Sequence, residues 1–176
     1  MKKLLIAAAM VCAAVFAQAA TVNWAISNVK NSAGAAPTAG WAVMAFYTEV
    51  GAGSAAIESA IQSKTAGAAA FETTTLATGF GSGKVNAHDA NATGITDTSK
   101  SYDFYFVVFN DADATKATEY VMVSDANKSY SGMDAKFKVS GNFSGATWQT
   151  ASVPEPTSGL LMLLGVAGLA LRRRRA

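Results

Sequence analysis

The sequence predicts an all-β fold: an antiparallel β-sandwich or jelly-roll-like single domain with one short helix, a signal helix before it and a hydrophobic helix after it. Three observations predict it. Over residues 20–152 the chain is rich in Ala, Gly, Ser and Thr, and its apolar residues follow a strand period more often than a helix period. Trp41 to Thr48 and Tyr102 to Phe109 are apolar on both faces, as central strands covered on two sides must be. Turn formers, among them Gly79, Gly81 and Asn110-Asp111-Ala112-Asp113, separate the apolar runs.

Taken in order, Val22, Trp24 and Ile26 alternate with Asn23 and Ala25, which gives a half-buried first strand. Trp41 to Thr48 is the second. Ser54 then stands where a helix cap belongs, and Ile57, Ala60, Ile61 and Lys64 share one helical face before Gly67. The stretch Ala66 to Ala70 is low in complexity. Phe71 to Phe80 is a weaker strand, with Thr73, Thr74 and Thr75 supplying β-branched residues. Tyr102 to Phe109, Glu119 to Ser124 and Lys136 to Phe143 complete an expected meander. In the last, Phe137, Val139 and Phe143 face one way while Lys136, Lys138 and Asn142 face the other, which suits an outer strand.

Three segments are expected: a signal peptide over 1–19, a β domain over 20–152 and a C-terminal tail over 153–176. The N-terminus carries Lys2 and Lys3, an apolar stretch from Leu4 to Phe16, and the small residues Ala17 and Ala19 at the third and first positions before a cut. Cleavage is expected after Ala19. Cys12, the only cysteine, lies inside this signal, so the mature chain has no thiol for disulfides, nucleophilic attack or thiolate metal sites.

The tail opens with Val153-Pro154-Glu155-Pro156. Each proline fixes its own φ and pushes the preceding residue out of the helical region, so the segment is extended. An uncharged run from Gly159 to Leu171 follows, then Arg172, Arg173, Arg174 and Arg175. As a helix the run measures about 20 Å, short against a hydrocarbon core of about 30 Å. Arginines behind it are retained in the cytoplasm, so the body lies outside the inner membrane.

These residues, in this order, resemble the PEP-CTERM sorting signal of Gram-negative bacteria. The resemblance is confined to the tail and implies processing by an exosortase, a membrane cysteine protease or transpeptidase of cells that make extracellular polysaccharide. It implies that Val153, Pro154, Glu155 and Pro156 form the sorting motif and are acted upon, with Arg172 to Arg175 retaining the precursor at the membrane. It implies nothing about the body.

The net charge of +2 belongs to the ends. With both signals removed the body holds eight lysines, no arginine and 11 acids, so a nucleic-acid partner has no electrostatic basis. Catalytic constellations are scarce. His88 is the single histidine, no Gly-x-Ser-x-Gly elbow is present, and a solvent-facing loop is its expected place. Asp111 and Asp113 sit in an expected turn rather than across a cleft. No cofactor or metal is expected. The nearest approach to a cation loop is Asp89, Asn91 and Thr93 with Asp97, but Lys100 stands where a bidentate glutamate belongs. Trp24 and Trp41 are expected in the core, whereas Trp148, near the domain's end, is a candidate for exposure and for stacking on a sugar ring.

The function expected is that of an exported, non-catalytic surface or extracellular-matrix protein, first tethered to the inner membrane by its C-terminal helix and then sorted to the cell surface or biofilm matrix. Signal peptidase and exosortase are its expected processing partners, with extracellular polysaccharide a further candidate. A carbohydrate-binding or calcium-dependent adhesive module is the alternative, and a surface hydrolase ranks behind both.

Overall fold

The computed structural model describes residues 19–37, 40–77 and 83–151. Within them run β1 (Ala20–Ser27), β2 (Ala42–Glu49), α1 (Ala55–Gln62), α2 (Ala66–Ala69), β3 (Glu72–Thr75), β4 (Val85–Ala92), β5 (Tyr102–Phe109), β6 (Glu119–Lys128), β7 (Phe137–Asn142) and β8 (Gln149–Thr150). The expectations for the signal up to Ala17, the sorting motif Val153 to Pro156, the helix over 159–171 and Arg172 to Arg175 lie outside the described residues. Among the described residues, no helix is long and apolar enough to cross a membrane.

The fold is all-β, in two sheets with a helical layer. One sheet has the order β4-β1-β7, the other β3-β2-β5-β6-β8. Between the sheets lies a core built from Val22, Trp24, Ile26, Val43, Phe104, Phe106, Val108 and Phe137. The opposite face of the larger sheet carries Met44, Phe46, Tyr105, Val107 and Phe109 onto Ile57 and Ile61 of α1 and Ala66 of α2. All eight residues of β5 are therefore buried. Its two-sided apolar sequence is what a strand between two layers requires.

Aromatic rings fill the inter-sheet core. Trp24 stacks on Phe106 at 5.5 Å between ring centroids, and Phe137 meets Phe104 at 5.4 Å. β7 alternates buried and exposed residues as expected, with Phe137 and Val139 inward and Lys138 outward. Gly141 also points inward. A Cβ on it would lie 2.8 Å from Phe106 Cδ2 and 3.0 Å from Ile26 Cγ2, so this position brings the two sheets together at a spacing that only glycine permits.

Four expectations are corrected. The sheets are not wholly antiparallel, because β1 and β7 pair in parallel with Val22 opposite Phe137. The meander breaks at the same point: after β6 the chain leaves the larger sheet, since the alternating apolar face of β7 completes the smaller one. There are two short helices, not one, because Ala66–Ala69 forms a turn of helix that buries Ala66 beneath it. The segment read as a loop from Asp89 is strand up to Ala92, paired with β1 from Ala20 opposite Ala92. β4 escapes a period reading because it carries only Val85, Ala90 and Ala92 as buried apolar residues, and its register with β1 shifts between Trp24 and Ile26.

Smaller differences have local causes. Of the strand expected over Phe71 to Phe80, the described residues form strand over Glu72–Thr75, the stretch that pairs with β2, and 78–80 lie outside the described residues. Ser54 does occupy the N-cap of α1, but its hydroxyl donates to Glu58 Oε1 at 2.6 Å instead of accepting from a backbone N–H. Trp41 precedes β2 and is half-buried against the inter-sheet core.

Candidate functional site: the Trp148 groove

After β7 the chain turns through Ser144 and Gly145, with Ala146 N–H donating to Phe143 O at 3.1 Å. Gly145 has φ +77°, the left-handed region in which glycine is unstrained. This turn swings Trp148 across the end of the sandwich toward the segment that follows β1. There its indole N–H donates to the Lys30 carbonyl at 2.8 Å, and its ring meets Trp41 edge to face at 5.4 Å. Trp148 is half-buried and locked on two sides.

Beside it lies a groove of about 510 Å³, lined by Lys30, Asn31 and Ser32 from the segment after β1 and by Glu119 and Val121 of β6. Asn31 shapes its own wall, because its side-chain oxygen accepts from Ala35 N–H at 2.8 Å. Asn110 holds Glu119: its Oδ1 accepts from Glu119 N–H at 3.0 Å and its Nδ2 donates to the Glu119 carboxylate at 3.4 Å. The groove thus combines an aromatic ring, an ammonium, a carboxylate and a hydroxyl. That is chemistry for a polyhydroxylated ring, whose C–H face stacks on indole and whose hydroxyls exchange hydrogen bonds with the walls. Of these residues only Trp148 is legible in the sequence. Lys30, Asn31, Ser32 and Glu119 join it through the turn at Gly145 and the edge of β6, neither of which leaves a local signal.

The residues nearest to a cation loop are engaged elsewhere. Asp89 stands on β4, where its carboxylate accepts from Asn23 Nδ2 at 2.6 Å and from Lys136 Nζ at 3.0 Å. Those two hydrogen bonds hold its pKa below the ordinary 3.8. Asn91 is exposed on the same strand and Thr93 in the turn after it. Asp97 accepts from Ser99 N–H at 3.0 Å and Ser99 Oγ at 2.6 Å, and these bonds likewise lower its pKa. Among the described residues no three His, Cys, Asp or Glu side chains come together as metal ligands.

His88 is on β4 rather than in a loop. Its ring packs on Trp24 at 4.8 Å, and its Nδ1 donates to Asn86 O at 3.0 Å. Asp111 and Asp113 do form the expected turn: Asp111 Oδ1 accepts from Asp113 N–H at 2.8 Å, and Asp113 holds Thr115 and Lys116. A second hollow, of about 500 Å³, is lined by Met44, Ile61, Ala66, Phe109 and Ala114 beside α2. Its cation, Lys64, donates to Ala117 O at 2.7 Å.

One further carboxylate is structural. Asp103, 8% exposed within β5, accepts from Gly51 N–H at 3.2 Å and Asn127 N–H at 2.7 Å. It ties the turn after β2 to the irregular end of β6, where Asn127 has φ 53°.

Comparison with known families returns one finding, and it falls on the tail. Residues 152–175 match the PEP-CTERM protein-sorting motif. No curated protein and no solved structure matches the chain. The match marks an exported protein sorted by an exosortase from a membrane-anchored precursor. It begins at the residue after Ala151, where the described fold ends.

Proposed function

We propose that the chain is a non-catalytic surface or extracellular-matrix protein of a Gram-negative bacterium, whose β domain is cargo and whose tail is the address. The sorting match at residues 152–175, directly behind the described β domain, carries this reading. The disposition of the acids supports the cargo role. Asp89, Asp97, Asp103, Asp111 and Asp113 each serve a turn, a strand pair or an ion pair. Cell fractionation tests it: wild-type protein is expected at the surface or in the matrix, and a variant with Pro154, Glu155 and Pro156 replaced by alanine in the inner membrane. Equal distribution of the two forms contradicts the sorting role.

A second reading rests on the Trp148 groove: the cargo binds a neutral saccharide there. The balanced charges of Lys30 and Glu119 and the domain's excess of acids favour a neutral ligand over an acidic one. Native gels cast with dextran, xylan or polygalacturonate test it. Retardation by a neutral polymer that disappears in Trp148→Ala supports the site. Migration unaffected by all three contradicts it.

A further inference from the structure

The last described residues form a clip. β8 contributes two residues, Gln149 opposite Tyr120 and Thr150 opposite Glu119. Ala151 follows, 1% exposed, with its N–H donating to Thr118 O at 2.8 Å. The Tyr120 hydroxyl donates to Gln149 Oε1 at 2.6 Å, and Gln62 Nε2 of α1 donates to Thr150 O at 3.3 Å. Every residue from 149 to 151 is thus pinned to β6, the segment before it or α1.

The sorting motif starts immediately behind. Pro154 is three residues beyond Ala151, so at about 3.3–3.6 Å per residue it lies within about 11 Å of the folded surface whatever path the chain takes. Gly159, the first residue of the apolar run, is within about 29 Å. A domain and a membrane enzyme must meet across that distance. Enzymes that read a peptide through its main chain hold it extended over several residues. A cleft that takes five residues before Pro154 already requires Gln149, Thr150 and Ala151.

We propose that the processing enzyme's substrate includes Gln149, Thr150 and Ala151, and that these residues must peel from β6 before the motif is engaged. The proposal rests on the exosortase reading of the tail. Peeling is a local event, because β8 is a two-residue edge strand and of residues 149–151 only Ala151 contributes to the helix-side core. It also has a stop. Trp148, held by Lys30 O and Trp41, anchors the chain one residue earlier, so detachment frees three residues and leaves the inter-sheet core closed. The strength of the clip then sets the rate at which precursor is processed.

A disulfide across the clip tests this. Glu119 and Thr150 face each other as the non-hydrogen-bonded type of antiparallel pair, since Ala151 N–H bonds to Thr118 O beside them. That type has the closer Cα spacing, which suits a disulfide. The chain's only natural cysteine is Cys12 in the signal. The full-length precursor carrying Glu119→Cys and Thr150→Cys is oxidised, freed of oxidant and added to membranes containing its exosortase. Loss of the arginine tail is followed by mass.

The locked form is expected to be processed at least about tenfold more slowly than the reduced form, because cleavage of a transiently opened segment follows the open population. Equal rates overturn the proposal. Six Gly and Ser residues inserted after Ala151 should make locked and reduced forms equal, and a lock that still slows the inserted form also overturns it. Should the cysteine pair fail to fold, Tyr120→Phe removes the hydroxyl contacts to Gln149 and to Gln62, which itself holds Thr150 O, and is expected to speed processing about two- to tenfold. An unchanged rate there counts against the clip. Alanine at Pro154, Glu155 and Pro156 stops processing in both redox states. Continued processing of that variant overturns the sorting reading, and the clip proposal with it, whatever the redox state shows.

Discussion

Trp148 donates its indole N–H to the carbonyl of Lys30 at 2.8 Å, joining the last turn of the domain to the segment behind its first strand. The contact spans 118 residues of sequence and closes the end of the sandwich. Trp148→Phe keeps an aromatic ring beside Trp41 but loses the donor and part of the indole's packing area. Urea unfolding is expected to show a loss of at least about 0.5–1.5 kcal/mol, the share of the hydrogen bond. No change would mean that the hydrogen bond does not hold the groove in solution.

Gly141 against Phe106 makes a prediction of opposite character, in which adding atoms destabilises. Gly141→Ala is expected to cost about 1–3 kcal/mol, because its methyl would meet the Phe106 ring inside the core. Phe106→Leu in the same chain should recover part of that loss, so the two changes are non-additive. Additive losses in thermal melts would show that the ring is not what the methyl strikes.

Asp103 serves two backbone donors at once. Asp103→Ala leaves the Gly51 and Asn127 N–H groups without their acceptor and is expected to cost about 1–3 kcal/mol for each group that stays buried. Asp103→Asn keeps one acceptor oxygen and should cost less. The ranking of the two variants in urea titration is the measurement, and Asn as damaging as Ala would contradict it.

Acid sensitivity follows from Asp89. Its folded pKa is held below the ordinary 3.8, first by the hydrogen bond from Asn23 and next by that from Lys136. A depressed carboxylate contributes stability above its unfolded pKa and loses it as pH falls through the folded value. The Tm of the wild type is therefore expected to fall below about pH 4, and less steeply in Asp89→Asn. The pair is exposed, so added salt should shrink the difference between the two chains. Parallel profiles for both would contradict the assignment.

Calcium provides a negative expectation. Asp89 is neutralised by Lys136, and Asp97 is turned onto Ser99. Millimolar calcium is expected to leave the Tm unchanged within about 1 °C, whereas a bound ion in excess over its Kd would raise it by several degrees. Such a rise would reopen the cation-loop reading of Asp89, Asn91, Thr93 and Asp97.

These cases show where the sequence carries the fold and where it does not. Tyr102 to Phe109 was legible to the residue, because burial between a sheet and a helical layer demands apolar side chains on both faces. β7 was legible through its alternation, yet its partner was not: period two says that a strand has one buried face, and nothing about which sheet receives it. β4 was illegible, because Asn86, Asp89 and Asn91 on it are exposed and polar while the residues it turns toward the core are Val85, His88 and two alanines, too few apolar side chains to show a period. Trp148 was the one groove residue open to reading, since a lone aromatic near a turn is conspicuous. Its partners are brought by the edge of β6 and the loop after β1, which are tertiary facts. The tail is the reverse case, a linear motif whose resemblance was legible in the sequence alone and which the family match over 152–175 supports.

The most direct test of the central claim, that residues 153–176 are a substrate for removal rather than a permanent anchor, is the intact mass of the protein recovered from the cell surface or matrix. A chain that begins at Ala20 and lacks Arg172 to Arg175 is the predicted result. A chain that retains all four arginines and remains in the inner membrane would contradict it.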